Sequence, residues 1–275
     1  MNELGLTKPL TFEVVDGLAY AAERGRLDYT RLTDVYHAES LGPLVELAHL
    51  ASQGSIPPLS EVRWLKLGRL ALLQPGLASS SQRWVCPTTR TIMLLRGATV
   101  FPTDDWIAFA MMAKHAAVQS GCPPPLAAQL VAAFGELFDN TFQHSRAPES
   151  ALGIFRCRRD AVEFTITDRG IGVLSSLRQN SRFAHLSDHG EALQLALQEG
   201  VTRYPDGSQH GHGYTDLLTG VANRQSLLRF RTGNHALKLD GRRVIPAERR
   251  AAQKAVVAGL VVSVECWPAQ GGASI

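Results

Sequence analysis

From residue 123 to 145 the hydrophobic and polar positions follow a helical period. Three prolines, Pro123 to Pro125, open the stretch, and proline suits a first helical turn because the N–H it lacks has no partner there. At roughly 100° per residue, Ala127, Leu130, Val131, Phe134, Leu137, Phe138 and Thr141 share one broad apolar face. Gln129, Glu136, Asn140 and Gln143 gather opposite, with Asp139 and His144 at the margins. The period then drops to two: Ala151 to Cys157 and Ala161 to Thr167 predict two strands joined by the turn Arg158-Arg159-Asp160. Val162, Phe164 and Ile166 share one face of the second strand, and Asp168 continues that parity because successive side chains alternate.

Upstream, Phe12 to Glu23, Tyr29 to Gln53 and Leu59 to Leu73 carry helical apolar spacing, punctuated by Gly and Pro. Trp84 to Phe101 reads as β, with short apolar runs at Ile92 to Leu95 and Ala98 to Phe101. Thr103-Asp104-Asp105 is placed to cap a helix over Trp106 to Ser120, since short polar side chains satisfy free N–H groups. Downstream, Val173 to Ser187 is polar and irregular, and Asp188-His-Gly-Glu191 reads as a capping box for a helix over Ala192 to Glu199. A loop from Tyr204 to Gly213 leads into a helix over Tyr214 to Asn223. Ser226 to Arg231, His235 to Leu239 and Leu260 to Trp267 predict strands, with a basic polar segment from Arg242 to Lys254 before the last.

Composition sets the class. A chain of 275 residues with 45% apolar and 19% charged residues is globular and long enough for one large domain or two small ones. Its formal charge of +3 is too mild to imply direct nucleic-acid binding. No apolar run approaches the ~20 residues of a membrane span, and no secretion signal is visible at the start. Cys86, Cys122, Cys157 and Cys266 lack pairwise motif spacing, as expected of inert thiols in a reducing cytosol. The expectation is a cytoplasmic protein without membrane contact.

Three groups of residues carry candidate chemistry. Glu136 and Asn140, one turn apart, put a carboxylate and an amide where both address one ligand. Asp168 points to the side of three core residues just as its strand enters Gly170-Ile-Gly172. A carboxylate there needs a hydrogen-bond donor: its own loop supplies one, and so does the exocyclic amine of a bound base. Gly207, Gly211 and Gly213 precede a helix start, a good anion site because exposed N–H groups and the helix dipole point the same way. His210 and His212, without a third ligand, read as loop residues.

The order of these pieces resembles the GHKL superfamily of ATP-binding domains, which includes gyrase, the ninety-kilodalton heat-shock chaperone, histidine kinases and mismatch-repair ATPases. The shared features are a helix with Glu136-x-x-Asp139-Asn140, a strand ending Asp168-x-Gly170-x-Gly172, and a variable loop closing on Gly211-x-Gly213 before a helix. Within the superfamily the pattern is most similar to the small anti-sigma serine kinases and histidine-kinase-like ATPases. The resemblance implies an α+β fold, a two-layer α/β sandwich of the Bergerat type over 103–275, with an added helical or mixed region over 1–102 of unknown role.

It also implies ATP and Mg²⁺ as cofactors. Asn140 would ligate the metal, Glu136 would act as general base, and Asp168 would accept the adenine amine. Gly170 and Gly172 would line the base, and Gly211 and Gly213 would offer N–H groups to the phosphates from a mobile lid. Gln143 and His144 would lie on the phosphate side, and Thr232 near the adenine. The implied activity is ATP hydrolysis or phosphorylation of a protein partner in signalling, with a protein partner or a homodimer as the assembly. The alternatives are a non-catalytic nucleotide-controlled switch and a full histidine kinase using His37, because His37-Ala-Glu-Ser-Leu-Gly-Pro-Leu44 resembles a phospho-acceptor box with its acidic residue and proline displaced by one.

Overall fold

A computed structural model describes residues 7–27, 32, 34–198, 225–241 and 251–268. The protein is α+β, built around a six-stranded antiparallel sheet and a three-stranded parallel one. The parallel sheet takes β1 (Lys8–Pro9), β2 (Tyr36–His37) and β3 (Leu65–Lys66), with α1 (Phe12–Glu23) and α2 (Leu41–Ser52) between them. A 3-10 turn (Gly68–Leu73) and α3 (Gln74–Ala78) lead to β4 (Arg83–Val85) and β5 (Ile92–Arg96). Next come α4 (Thr103–Gln119), α5 (Pro124–His144), β6 (Leu152–Cys157), β7 (Val162–Asp168), α6 (Gly172–Leu177), α7 (His189–Ala196), β8 (Ser226–Asp240) and β9 (Ala252–Cys266).

The large sheet has the order β4-β5-β6-β7-β9-β8. Its first two strands come from residues before 103, so the sheet reaches back across the expected 102/103 boundary. α4 and α5 cover one face. There Val162, Phe164 and Ile166 join Phe109, Phe134, Phe138 and Phe155 in one apolar core, and the Phe109 and Phe134 rings stack 4.8 Å apart. α1 and α2 cover the opposite face, where Ile92, Leu94 and Ile154 pack against Leu41, Val45 and Leu47. The sandwich therefore has a third layer, made by the N-terminal region.

α5 matches expectation residue for residue: its buried positions are Ala127, Leu130, Val131, Phe134, Leu137, Phe138 and Thr141. α4 begins at Thr103 itself, with Asp104 and Asp105 in its first turn and no side-chain cap. Tyr29 to Gln53 is not one helical stretch, since β2 precedes α2, and Leu59 to Leu73 holds a strand and a 3-10 turn. The second half of Trp84 to Phe101 forms no strand beyond Arg96. Residues 173–187 are more ordered than their polarity suggests. Leu174, Leu177, Phe183 and Leu186 close with Ala192 into a small apolar cluster, each pair spaced by three residues in a separate short turn. Asp188 caps the next helix as expected, accepting from the Glu191 N–H at 2.8 Å. All four cysteines are free and buried. No helix among the described residues is long and apolar enough to cross a membrane.

Candidate functional site

β7 carries Asp168 into the interior, leaving it 4% exposed at the strand's end. Burial pushes its carboxyl up to about 6, while the Gly170 N–H, donating to Oδ1 at 2.8 Å, pulls the other way. The loop-capping role foreseen for Asp168 is thus real, and it uses one oxygen only. No hydrogen bond within the described residues takes Oδ2. A buried carboxylate short of donors is stabilised by any ligand that brings one.

The turn after Asp168 is locked to the end of α5. A side chain at Gly170 would meet the Ser145 carbonyl oxygen at 2.1 Å, and the Ile171 N–H donates to that oxygen at 2.9 Å. Arg169 N–H donates to Ser150 Oγ at 2.9 Å. Gly172 has φ 71°, a left-handed conformation that glycine adopts without a Cβ clash. From there the Val173 N–H reaches Thr232 Oγ1 at 3.2 Å, and the Thr232 hydroxyl donates to Gly259 O at 2.8 Å. Asp168, Gly170, Gly172 and Thr232 therefore form one connected net.

The polar face of α5 lies just upstream of Ser145. Gln143 Nε2 donates to Asp139 Oδ2 one turn back. His144 Nδ1 lies 3.4 Å from Ser176 Oγ of α6. Asn140 is half-buried and Glu136 exposed, and neither holds a hydrogen bond or ion pair within the described residues. No group of three His, Cys, Asp or Glu side chains able to hold a metal occurs among the described residues. The Asn140 amide oxygen is a hard donor of the kind Mg²⁺ takes, a cation that keeps most of its shell for water and phosphate.

Gly211, Gly213, His210 and His212, with the helix expected after them, lie outside the described residues. His37 ends β2, with Nδ1 3.4 Å from Glu39 Oε1, and belongs to the layer behind the sheet rather than to the Asp168 side. Two site residues escaped the sequence reading, Ser145 and Gly259. Ser145 gave no signal, since its contribution is a backbone carbonyl. Gly259, a lone glycine inside the apolar run Val256 to Val262, carried the usual mark of a bulge or close backbone approach.

No family model, curated protein or solved structure matches this chain.

Proposed function

We propose that this chain binds Mg-ATP in the manner of the histidine-kinase-like ATPases, and hydrolyses it or passes its terminal phosphoryl group to a protein partner. In this reading the six-stranded sheet with α4 and α5 is a Bergerat-type sandwich. The observation that carries the reading is Asp168, a buried carboxylate with one oxygen spent on Gly170, facing a glycine turn fixed to the end of the helix that bears Asn140 and Glu136.

Asp168 accepts the adenine amine, the Gly170 and Gly172 backbones flank the base, and the Thr232 hydroxyl braces the far side. Asn140 offers its amide oxygen to magnesium, whose charge offsets that of the triphosphate. Gln143 and His144 sit toward the phosphates, to which Gly211 and Gly213, outside the described residues, would offer N–H groups. Glu136, exposed and without a hydrogen bond within the described residues, is the general base. A nucleotide-controlled switch is the second reading, favoured by the direct ties between the N-terminal layer and the strands that carry the site.

Calorimetry tests the base site. Wild type binds Mg-ATP in preference to Mg-GTP, and Asp168→Asn weakens Mg-ATP roughly ten- to a hundredfold, the range for a buried charge-assisted hydrogen bond. Equal affinity of wild type for the two nucleotides would sink the assignment. Glu136→Ala keeps Mg-ATP binding and loses about 10²–10⁴-fold in turnover; a variant that binds normally beside a wild type without turnover would favour the switch.

A further inference from the structure

β8 and β9 pair in register from Ser226 opposite Cys266 to Thr232 opposite Leu260, and then the register shifts so that Gly233 faces Val257. Ala258 and Gly259 are left out of the ladder as a bulge. Bulges re-aim side chains and leave peptide groups unpaired, and those groups need partners. Gly259 turns with φ 68°, and a side chain there would meet Asp168 O at 2.1 Å and Oδ1 at 2.7 Å. Its own carbonyl receives the Thr232 hydroxyl. The bulge is thus the wall between Asp168 and Thr232.

Helix α2 and its C-cap, from the N-terminal layer, hold that wall from behind. The Ala258 N–H donates to Gln53 Oε1 at 2.9 Å, and the Ala258 carbonyl lies 2.8 Å from His49 Nε2. Gln53 Nε2 also donates to Val256 O at 3.0 Å. A carbonyl only accepts, so Nε2 carries the proton, and Nδ1 accepts the Thr167 hydroxyl at 2.6 Å. Both ring nitrogens are therefore used by the neutral form, and burial pushes His49 the same way, below its ordinary value. One pair of side chains a turn apart thus meets both peptide groups of Ala258, and His49 also grips the residue before Asp168.

We infer that His49 and Gln53 are positioning residues for the base end of the nucleotide site. They fix the Ala258–Gly259 bulge and thereby the placement of Asp168 against Thr232, without touching nucleotide themselves. This rests on the nucleotide reading above. It gives the N-terminal layer a task in base recognition that the phosphate end does not share.

The test uses the full chain with two probes, Mg-ATP and magnesium with inorganic tripolyphosphate, each titrated by calorimetry. His49→Asn keeps a polar atom near Thr167 but falls short of Ala258; His49→Gln restores a donor at the position of Nε2; Gln53→Ala removes the other tie from a site at the rim, where folding survives. His49→Asn and Gln53→Ala each weaken Mg-ATP roughly five- to tenfold, His49→Gln stays within about twofold, and tripolyphosphate binding is unchanged in all three. Unchanged Mg-ATP affinity in His49→Asn and Gln53→Ala overturns the inference. So does a parallel loss of both probes, which marks general loosening. A wild type that binds tripolyphosphate as well as ATP overturns the nucleotide reading itself, and the inference with it.

Discussion

The two faces of the large sheet, at the strands that carry the site, are built from opposite chemistry. Toward α4 and α5 the contacts are aromatic and aliphatic: Phe164 lies 5.7 Å from Phe134 and 6.2 Å from Phe155. Toward α1 and α2 the same strands present charge. Arg229 donates to Glu46 at 2.7 Å and to Asp16 at 2.6 Å, and Arg231, fully buried, bonds Glu46, Asp16 and the Ala255 carbonyl. Lys254 joins Asp16 at 3.0 Å. Arg156 pairs with Glu163, and Glu163 accepts the first N–H of α2 from Leu41. The strands alternate, so each site residue follows one held from the back face: Thr232 follows Arg231, and Asp168 follows Thr167, which is bonded to His49. Apolar packing is adaptable in register, whereas buried ions punish any wrong pairing. The difference teaches that the front face supplies cohesion, and the back face fixes where the N-terminal layer sits.

The sharpest way to break that comparison is to cut each face once. Phe134→Ala opens a cavity in the front core, with an expected loss of about 3–5 kcal/mol. Glu46→Ala leaves two buried guanidinium groups to share Asp16 and loses about as much, roughly 3–5 kcal/mol. The faces part company on rescue. Replacing the group together, as E46L/R229M/R231M, leaves Asp16 paired with Lys254 and regains most of the lost stability, because apolar substitutes for a whole buried ion cluster are often neutral. Urea denaturation measures all three. A triple variant as unstable as Glu46→Ala would show that the ions themselves supply stability rather than placement.

A smaller effect of opposite sign is expected on the ligand side. Asp168 has its carboxyl raised to about 6 by burial, so the folded state holds a proton that the unfolded chain has released. Stability contributed by that proton is present in full below about 4 and is lost as pH rises through about 6. Asp168→Asn keeps the acceptor for Gly170 and removes the ionisation. It therefore raises the stability of the nucleotide-free protein by about 2–3 kcal/mol at pH 8, and by almost nothing at pH 4. A melting temperature that does not rise at pH 8 would mean that Asp168 has donors enough without a ligand, against its role as a base reader.

How much of this was legible depends on the distance over which each contact acts. The apolar face of α5 and the parity of β7 are local patterns, and both appear as expected, with Asp168 turned inward. Short β2 was hidden inside a helical-looking run, because two residues paired in parallel across a helix leave no periodic trace. Ser226 to Arg231 and His235 to Leu239 read as separate strands, whereas β8 runs through as one strand with register shifts around Gly233. Glu46 and His49 lie inside the helically spaced stretch Tyr29 to Gln53 and carry no local mark; their partners are Arg229, Arg231 and Ala258, far along the chain. The motifs around Asp168 are legible because they are local, whereas the carbonyls and the bulge that enclose it are set by contacts distant in the chain.

The smallest expected effect lies at the rim of the charged face and shows whether burial, not charge, sets its worth. Lys238 of β8 meets Glu13 of α1 at 2.6 Å, joining the same two elements that Asp16 and Arg229 join inside. This pair stays open to water, Glu13 being 66% exposed, although Lys238 helps draw its carboxyl down to about 2 against partial burial. Solvent screening reduces such a pair to about 0–1 kcal/mol. Lys238→Ala should therefore shift the urea midpoint only slightly, and that shift should fade as ionic strength rises toward 1 M, where the Debye length is about 3 Å. The loss in Glu46→Ala should survive the same salt, because water and counterions do not reach a fully buried carboxylate. If salt erased both losses alike, the inner cluster would be behaving as a solvated pair, and the contrast between the two faces of the sheet would fail.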